Sequence, residues 1–342
     1  MSDEEFKARV GTKLRGKWSL DRLIGIGGMA AVYAATHKIG RTDAIKLLDP
    51  EVAVSEDLRA RFEQEALAVN SIGHPGTVEI RDIDTTEDGT PFLVMELLEG
   101  ETLAERAAAG RCQDTDNLLR LIDELLDVLV AAHAKGIIHR DIKPENLFVQ
   151  QDGSLKVLDF GIARMRDGVV RTLAGTMLGT VAYMPPEQIK GEPVDRRADL
   201  FSVGATMFRL IAGRPVHEAE DEWKVGTKML TEPAPPLAEV APKAPQAICW
   251  IVDRALAFQR GRRYPNAATM RADIRAAQNG DEPPYALARL EAGDDPRSTE
   301  PAPETPEEGA DTEPKGDGPE RGEEEEGALR GAPTRSDAPP PP

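Results

Sequence analysis

Between residues 139 and 161 the chain folds its polar residues back on themselves. His139-Arg140-Asp141-Ile142-Lys143-Pro144-Glu145-Asn146 is followed by a strand-like run, an Asp152-Gly153 pair, a second strand-like run and then Asp159-Phe160-Gly161. Asp-Gly between two such runs is a hairpin signal, so the clusters at the two ends return to one place. The hairpin signal therefore predicts an amide and two carboxylates at a common site. Asn146 and Asp159 flank that site with oxygen ligands suited to a hard cation such as Mg²⁺, which keeps several waters and bridges phosphates. Asp141 lies beside them as a carboxylate facing an incoming hydroxyl.

The preceding residues supply a second group of signals. Residues 18–23, 30–36, 43–48, 78–83 and 91–97 alternate like strands, with Gly, Asp and Thr at the turns. One helix interrupts them: Ser55 can cap it, Glu56 and Asp57 suit its positive end, Leu58, Phe62, Ala66 and Val69 share a face, and Gly73 with Pro75 stops it. Ile24-Gly25-Ile26-Gly27-Gly28-Met29-Ala30-Ala31-Val32-Tyr33 places glycines between two strands, where backbone N–H groups could close over phosphates. Taken alone, such a stretch is more often an ordinary hairpin. The next strand carries Lys46 after Ala44-Ile45, and the helix carries Glu65. An ammonium on an inward strand face is costly unless it is paired with a carboxylate and with ligand phosphates. From Thr102 the pattern turns helical, most clearly over residues 118–126, ending at Gly136. The expected class is α+β, a small sheet-rich lobe followed by a larger helical lobe with a cleft between them.

Glycine loop, A-x-K, helical Glu, H-R-D-x-K-x-x-N and D-F-G in this order resemble the protein kinase family, and within it the bacterial eukaryotic-like serine/threonine kinases, over about residues 18–278. The resemblance implies a bilobal kinase fold in which the sheet lobe holds ATP. Lys46 would then bind the α/β-phosphates and pair with Glu65, Asp141 would take or orient the acceptor hydroxyl proton, and Lys143 would neutralise charge on the γ-phosphate. Asn146 and Asp159 would hold Mg²⁺, with Mn²⁺ as an alternative. Residues 93–98 resemble the strand and hinge that meet adenine, with Met95 as gatekeeper and Glu96 and Leu98 in the hinge. Ile24, Val32, Ala44 and Phe148 would sandwich the base, although strand residues of this kind are buried with or without a ligand. Residues 179–187 resemble the segment that receives the acceptor, Glu187 would pair with Arg263, and Asp199 would brace the catalytic loop.

Lysine two residues after Asp141, together with Gly179-Thr180, resembles Ser/Thr-specific members, and Thr180 would contact Asp141 and Lys143. Because Arg140 precedes Asp141, residues 162–178 are expected to be ordered by a phosphate supplied by autophosphorylation at Thr172 or Thr176, in a homodimer or otherwise. The chain departs from the family pattern at Ala30, where a third glycine is usual, at Asp43, expected near the sheet edge, and at Pro185-Pro186-Glu187. Two rival readings differ in class. A pseudokinase scaffold would usually lose the lysine or an aspartate that stands here, and a small-molecule phosphotransferase would lack the segment 179–187.

Acidic side chains number 60 against 42 Lys and Arg, a net charge of −18, which disfavours nucleic acid and anionic membranes as partners. Of that excess, −12 falls in residues 281–342, which hold 18 acidic and 6 basic residues, including the run Glu323 to Glu326. Composition there reads as a disordered Pro/Glu-rich tail, open to regulatory partners. The expected map is an N-terminal extension over residues 1–16, a catalytic domain over 17–279 (small lobe 17–95, hinge 96–99, large lobe 100–279) and the tail over 280–342. Two cysteines, Cys112 and Cys249, form no disulfide framework, no apolar run is long enough to span a membrane, and the start lacks a secretory pattern. These features together read as cytoplasmic.

Overall fold

The structure, a computed structural model, describes residues 3–112, 114–160 and 180–300. The small lobe opens with helix α1 (Asp3–Ala8), strands β1 (Lys13–Leu14), β2 (Trp18–Ile26), β3 (Ala30–His37) and β4 (Thr42–Leu48), short helix α2 (Pro50–Ala53) and helix α3 (Glu56–Ile72). Strands β5 (Ile80–Thr85) and β6 (Pro91–Glu96) complete an antiparallel sheet of order β1-β2-β3-β4-β6-β5. The predicted helix is α3: Ser55 Oγ accepts from the Leu58 N–H at 3.4 Å, and Gly73 ends it in the left-handed region at φ 66°. Phe62, Ala66, Val69 and Ile72 form its buried face.

The two faces of this sheet are covered by different parts of the chain. On the inner face Leu48 and Leu93 join Phe62 and Ala66 of α3 in the core shared with the large lobe. On the outer face Leu20, Tyr33, Ile45 and Phe92 form a second core that is closed by Phe6 of α1 and Leu14 of β1. The Tyr33 hydroxyl donates to the Phe6 carbonyl at 2.9 Å. The stretch read as an extension before the domain thus supplies part of the small lobe, because a sheet with only one covered face would leave these aromatics in water.

Asp43 is not at the sheet edge. Strand β4 is interior, and alternation turns Asp43 onto the outer face, where it is fully buried. Its carboxylate accepts from Trp18 Nε1 at 3.2 Å, Arg41 Nε at 2.9 Å and Arg81 NH1 at 2.8 Å. Three donors replace the water that the charge gives up.

The hinge leads into β7 (Gly100–Thr102), which pairs with β8 (Leu147–Gln150), itself paired with β9 (Leu155–Val157). A Cβ at Gly100 would lie 2.1 Å from the Val149 carbonyl oxygen, so only glycine permits this approach. The large lobe is built from α4 (Leu103–Ala108), α5 (Thr115–His133), α6 (Pro186–Ile189), α7 (Arg197–Ala212), α8 (Glu222–Thr231), α9 (Leu237–Val240), α10 (Gln246–Ala255), α11 (Ala267–Gln278) and α12 (Pro284–Glu291). Leucines of α5 (Leu121, Leu125 and Leu129) and apolar residues of α7 (Leu200, Val203 and Met207) fill its core at full or near-full burial.

Helix α12 lies beyond the composition change at Asp281. Its Ala286 is fully buried, and Asp273 of α11 accepts from the N–H groups of Tyr285 and Ala286, both at 2.9 Å. Residues 280–300 are therefore packed against the large lobe, not part of an unstructured tail.

Because Phe6 closes the outer core, Phe6→Ala should destabilise the protein by about 3–5 kcal/mol. Denaturant melts of the two proteins check this, and equal midpoints would show that the N-terminal stretch contributes nothing.

Candidate active site

Strand alternation places Ala44 and Lys46 on the inner face of β4, opposite Asp43, Ile45 and Leu47. Lys46 Nζ sits 3.5 Å from Glu65 Oε1 on α3 and 2.7 Å from Asp159 Oδ1. Burial by itself pulls the ammonium down, but Asp159 and then Glu65 carry it above the ordinary lysine value. Asp159 occupies the left-handed region at φ 44°, an unfavourable conformation for a non-glycine residue, and follows directly from β9. Its neighbour Phe160 is buried and meets His139 with ring centroids 4.4 Å apart, so the two polar motifs of the 139–161 segment are in direct contact.

The catalytic loop is shaped by a carboxylate from α7. Asp199, fully buried, accepts from the His139 N–H at 2.9 Å and the Arg140 N–H at 2.8 Å, and lies 2.8 Å from His133 Nε2. Burial would raise its carboxyl, but the hydrogen bond and charge of His133 and these N–H donors hold it below the usual carboxylate range. Arg140 takes the left-handed region at φ 66°. His139 is neutral: burial pulls its imidazole down, Nε2–H donates to the Leu158 carbonyl at 2.9 Å, and Nδ1 accepts from the Asp141 N–H at 3.2 Å.

The residues read as chemical converge from there. Asn146 Nδ2 donates to Asp141 Oδ2 at 2.8 Å and to the Asp141 carbonyl at 2.7 Å. Lys143 Nζ lies 3.3 Å from Asp141 Oδ2 and donates to Thr180 Oγ1 at 2.9 Å. With its NH₂ turned to Asp141, Asn146 offers its amide oxygen for a cation. That oxygen and the Asp159 carboxylate are a donor set that fits Mg²⁺ completed by water and phosphate oxygens.

The glycine loop rises from a β2 whose register slips twice, between Leu20 and Arg22 and between Leu23 and Gly25, which increases its local twist. The Gly27 N–H closes the turn on the Ala30 carbonyl at 2.8 Å. Ile24, Ile26 and Met29 are exposed around it, and Gly25 has open space on its Cα. Ala31 differs from the rest of this stretch: its side chain is fully buried in the outer core, so a nucleotide could meet only its backbone. Ala30 and Ala44 are buried, Val32 and Phe148 half-buried. Met95 and Leu98 are half-buried, and Met95 packs on the main core. The Glu96 carboxylate accepts from Lys156 Nζ at 2.5 Å and the Glu79 N–H at 2.8 Å, which leaves backbone groups as its contribution to a ligand.

Glu187 and Arg263 form a buried bidentate pair, at 2.5 Å and 2.9 Å, with the guanidinium 4.7 Å from the Phe201 ring centroid. Gln188 Nε2 donates to the Arg140 carbonyl at 2.8 Å, a contact that sequence reasoning missed. His133 was missed too, for a lone histidine at a helix end carries no pattern. Thr172 and Thr176 lie outside the described residues, and Gly28 sits in the bend between β2 and β3.

An inward lysine held by two carboxylates, facing a loop that gathers a carboxylate, an amide and a second lysine, is the arrangement of a phosphotransferase of the kinase type. The protein kinase domain family matches residues 18–264, and the chain belongs to that family. It is similar to the serine/threonine-protein kinase Pkn1 of Myxococcus xanthus, 39% identical over 269 residues, which cover 77% of this chain and 38% of the relative. It is also similar to the serine/threonine-protein kinase PrkC of Bacillus subtilis, 34% identical over 273 residues covering 80% of this chain and 42% of the relative. The chain thus matches well under half the length of these relatives. Among solved structures, the kinase domain of Mycobacterium tuberculosis PknI superposes with a TM-score of 0.61 at 23% identity, covering 79% of this chain and 98% of that one, which shows the bilobal fold.

Two predictions follow from the buried groups. Glu187→Gln leaves the Arg263 charge buried and uncompensated, and should cost about 3–5 kcal/mol in denaturant melts. His139, whose folded-state pKa is depressed, contributes stability that is complete above its unfolded pKa of about 6.5 and declines as pH falls below it, by at most about 1.4 kcal/mol per pH unit. Melts from pH 7.5 to 5.5 should therefore be steeper for the wild type than for His139→Asn, and parallel slopes would show that the imidazole titrates freely.

Proposed function

We propose that this chain is a serine/threonine protein kinase that transfers the γ-phosphate of ATP to Ser or Thr hydroxyls of proteins. The observation that carries the reading is Asp141 fixed by Asn146 and Lys143, with Lys143 reaching Thr180 in the segment that would receive the acceptor. Lys46, aligned by Glu65 and Asp159, binds the α/β-phosphates. Asp141 orients the acceptor hydroxyl and takes its proton as the oxygen bonds to the γ-phosphorus and the bond to the ADP oxygen breaks. Lys143 offsets charge on the phosphoryl group in flight. Mg²⁺, when bound at Asn146 and Asp159, supplies charge neutralisation to the phosphates.

Autophosphorylation at Thr172 or Thr176 belongs to the same reading. Burial is the main influence lowering the Arg140 guanidinium, with Asp199 opposing it, and its buried Nε has no partner among the described residues. A phosphate on Thr172 or Thr176 would supply a charge suited to that guanidinium. The catalytic unit in this proposal includes the N-terminal stretch and residues 280–300 that pack on it, and the acidic residues beyond attract regulatory partners. A cytoplasmic place accords with Cys112 and Cys249, free thiols that burial pushes up toward the protonated form. Among the described residues no helix is long and apolar enough to cross a membrane.

The test is labelled-phosphate transfer from ATP and Mg²⁺ to the protein itself and to a basic protein acceptor. Asp141→Asn should lower transfer by about 10²- to 10⁴-fold while nucleotide affinity stays within about twofold. Nucleotide binding without transfer by the wild type would instead favour a scaffold. Mass spectrometry showing Thr172 and Thr176 unmodified after incubation with ATP would remove the autophosphorylation claim.

A further inference from the structure

The range matched by the family ends at residue 264, yet the chain beyond it returns to the loop that carries Arg263. Asp294, three residues past α12, is 5% exposed. Its carboxylate meets three guanidiniums: Arg254 NH1 at 3.0 Å, Arg289 Nε at 2.6 Å and Arg262 NH1. Arg254 NH2 also donates to the Asp294 carbonyl at 2.6 Å, and its NH1 to the Arg262 carbonyl at 2.9 Å. Two further bonds tie residues 294–299 to the same loop: the Phe258 N–H donates to the Pro296 carbonyl at 3.2 Å, and Gln259 Nε2 donates to the Thr299 carbonyl at 2.6 Å. Residues 281–300 thus form a strap across residues 257–263.

That loop holds one half of the pair next to the catalytic loop. Arg263 adjoins Arg262 and donates Nε to the Ala257 carbonyl at 2.9 Å while its fork grips Glu187. Gln188, next to Glu187, donates to the carbonyl of Arg140, and Arg140 precedes Asp141. The Tyr183 N–H, four residues before Glu187, closes on the Thr180 carbonyl at 3.1 Å. A continuous run of bonded groups therefore joins Asp294 to the segment where an acceptor would dock.

We infer that Asp294 is a positioning residue for the protein acceptor, acting through Arg262 and Arg263 on Glu187 and the 180–189 segment. The inference rests on the kinase reading above. One carboxylate among two buried guanidiniums and a third half-buried one is the group whose loss matters most: without it the cations repel one another at short range in a water-poor site. Burial already pulls the Arg254 guanidinium down, with Asp294 opposing that effect and Arg289 adding to it. Relief comes by opening the loop 257–263, which draws Arg263 off Glu187 and loosens the docking segment. Lys46, Glu65 and the hinge lie in the other lobe and stay as they are.

The experiment compares the full chain with Asp294→Asn, Asp294→Glu and chains ending at Glu300 or Gly280. In Asp294→Asn and in the chain ending at Gly280, the KM for a basic protein acceptor should rise about tenfold and the KM for ATP should stay within about twofold. Asp294→Glu should recover part of the acceptor KM, and the chain ending at Glu300 all of it. A purely structural role would instead lower the active fraction, and so kcat, with the acceptor KM unaltered. Hydrogen exchange of peptides covering residues 183–192 gives a readout that needs no activity, and exchange should be faster in Asp294→Asn. Should that variant fail to fold, Arg262→Gln breaks the link but leaves the carboxylate two guanidiniums, and carries the same expectations. Unmoved exchange overturns the inference, as does faster exchange with an unaltered acceptor KM. If the wild type transfers nothing, the kinase reading fails and exchange alone decides the role of Asp294.

Discussion

One buried carboxylate sets the geometry on which the site depends. Asp199 stands in the middle of the large lobe on α7, a helix packed on nearly every side, and removing a carboxylate from water at such a place is costly unless donors surround it. The donors come from the His139 and Arg140 backbone and the His133 ring, so the cost of burial is offset only when the loop takes this shape. Arg140 takes the left-handed region while its N–H and that of His139 meet the same carboxylate. With the backbone fixed, Asp141 is presented to Asn146 and Lys143, and His139 packs on Phe160, which fixes the approach of Asp159 to Lys46. Rigid-element support of this kind is what holds a site to the sub-ångström tolerance that chemistry requires.

The charges of the cleft make a second constraint. Lys46 and Lys143 face Glu65, Asp159 and Asp141, so acids outnumber bases among the groups the site brings together. A polyphosphate entering alone would meet net repulsion, and on the proposed reading a divalent cation at Asn146 and Asp159 would reverse its sign where it matters. Ammonium and metal would thus serve separate phosphates on the proposed reading, and Lys46 has two carboxylates: one meets it from α3, and the other ties it to the residues just past β9.

The site was more legible in the sequence than the fold around it, for a physical reason. Asp141, Lys143, Asn146 and Asp159 carry their chemistry in the residue type, and the Asp152-Gly153 turn is a local signal that brings them together. Helix α3 announced itself through Ser55 and Gly73, again locally. What stayed hidden depends on the far side of an element. Ala31 and Asp43 lie in strands whose outer face would be wet in a bare sheet. Phe6 covers that face, and nothing in the local pattern around residue 6 says so. Asp43 then looked like an edge charge, whereas its partners Trp18, Arg41 and Arg81 come from β2, from beside β4 and from β5.

The misplaced boundary near residue 280 shows how composition misleads when charges pair across long separations. Residues 281–300 begin an acidic, Pro-containing stretch that runs to the end of the chain, a composition that normally prevents a segment from paying its ordering entropy. The countervailing signal stands earlier in the chain. Residues 254–272 contain Arg254, Arg260, Arg262, Arg263 and Arg271 and no carboxylate at all. Arg254, Arg262 and Arg263 are buried, and buried guanidiniums need acids brought from elsewhere. Glu187 answers Arg263, Asp123 and Asp127 answer Arg271, and Asp195 lies 3.7 Å from Arg260. Arg254 and Arg262 are both answered by Asp294, so the apparent tail contains an acid that the base of the large lobe requires. A cluster of arginines without local acids is thus a cue that an acidic segment elsewhere belongs to the fold, and it points to the very residues that composition alone would discard.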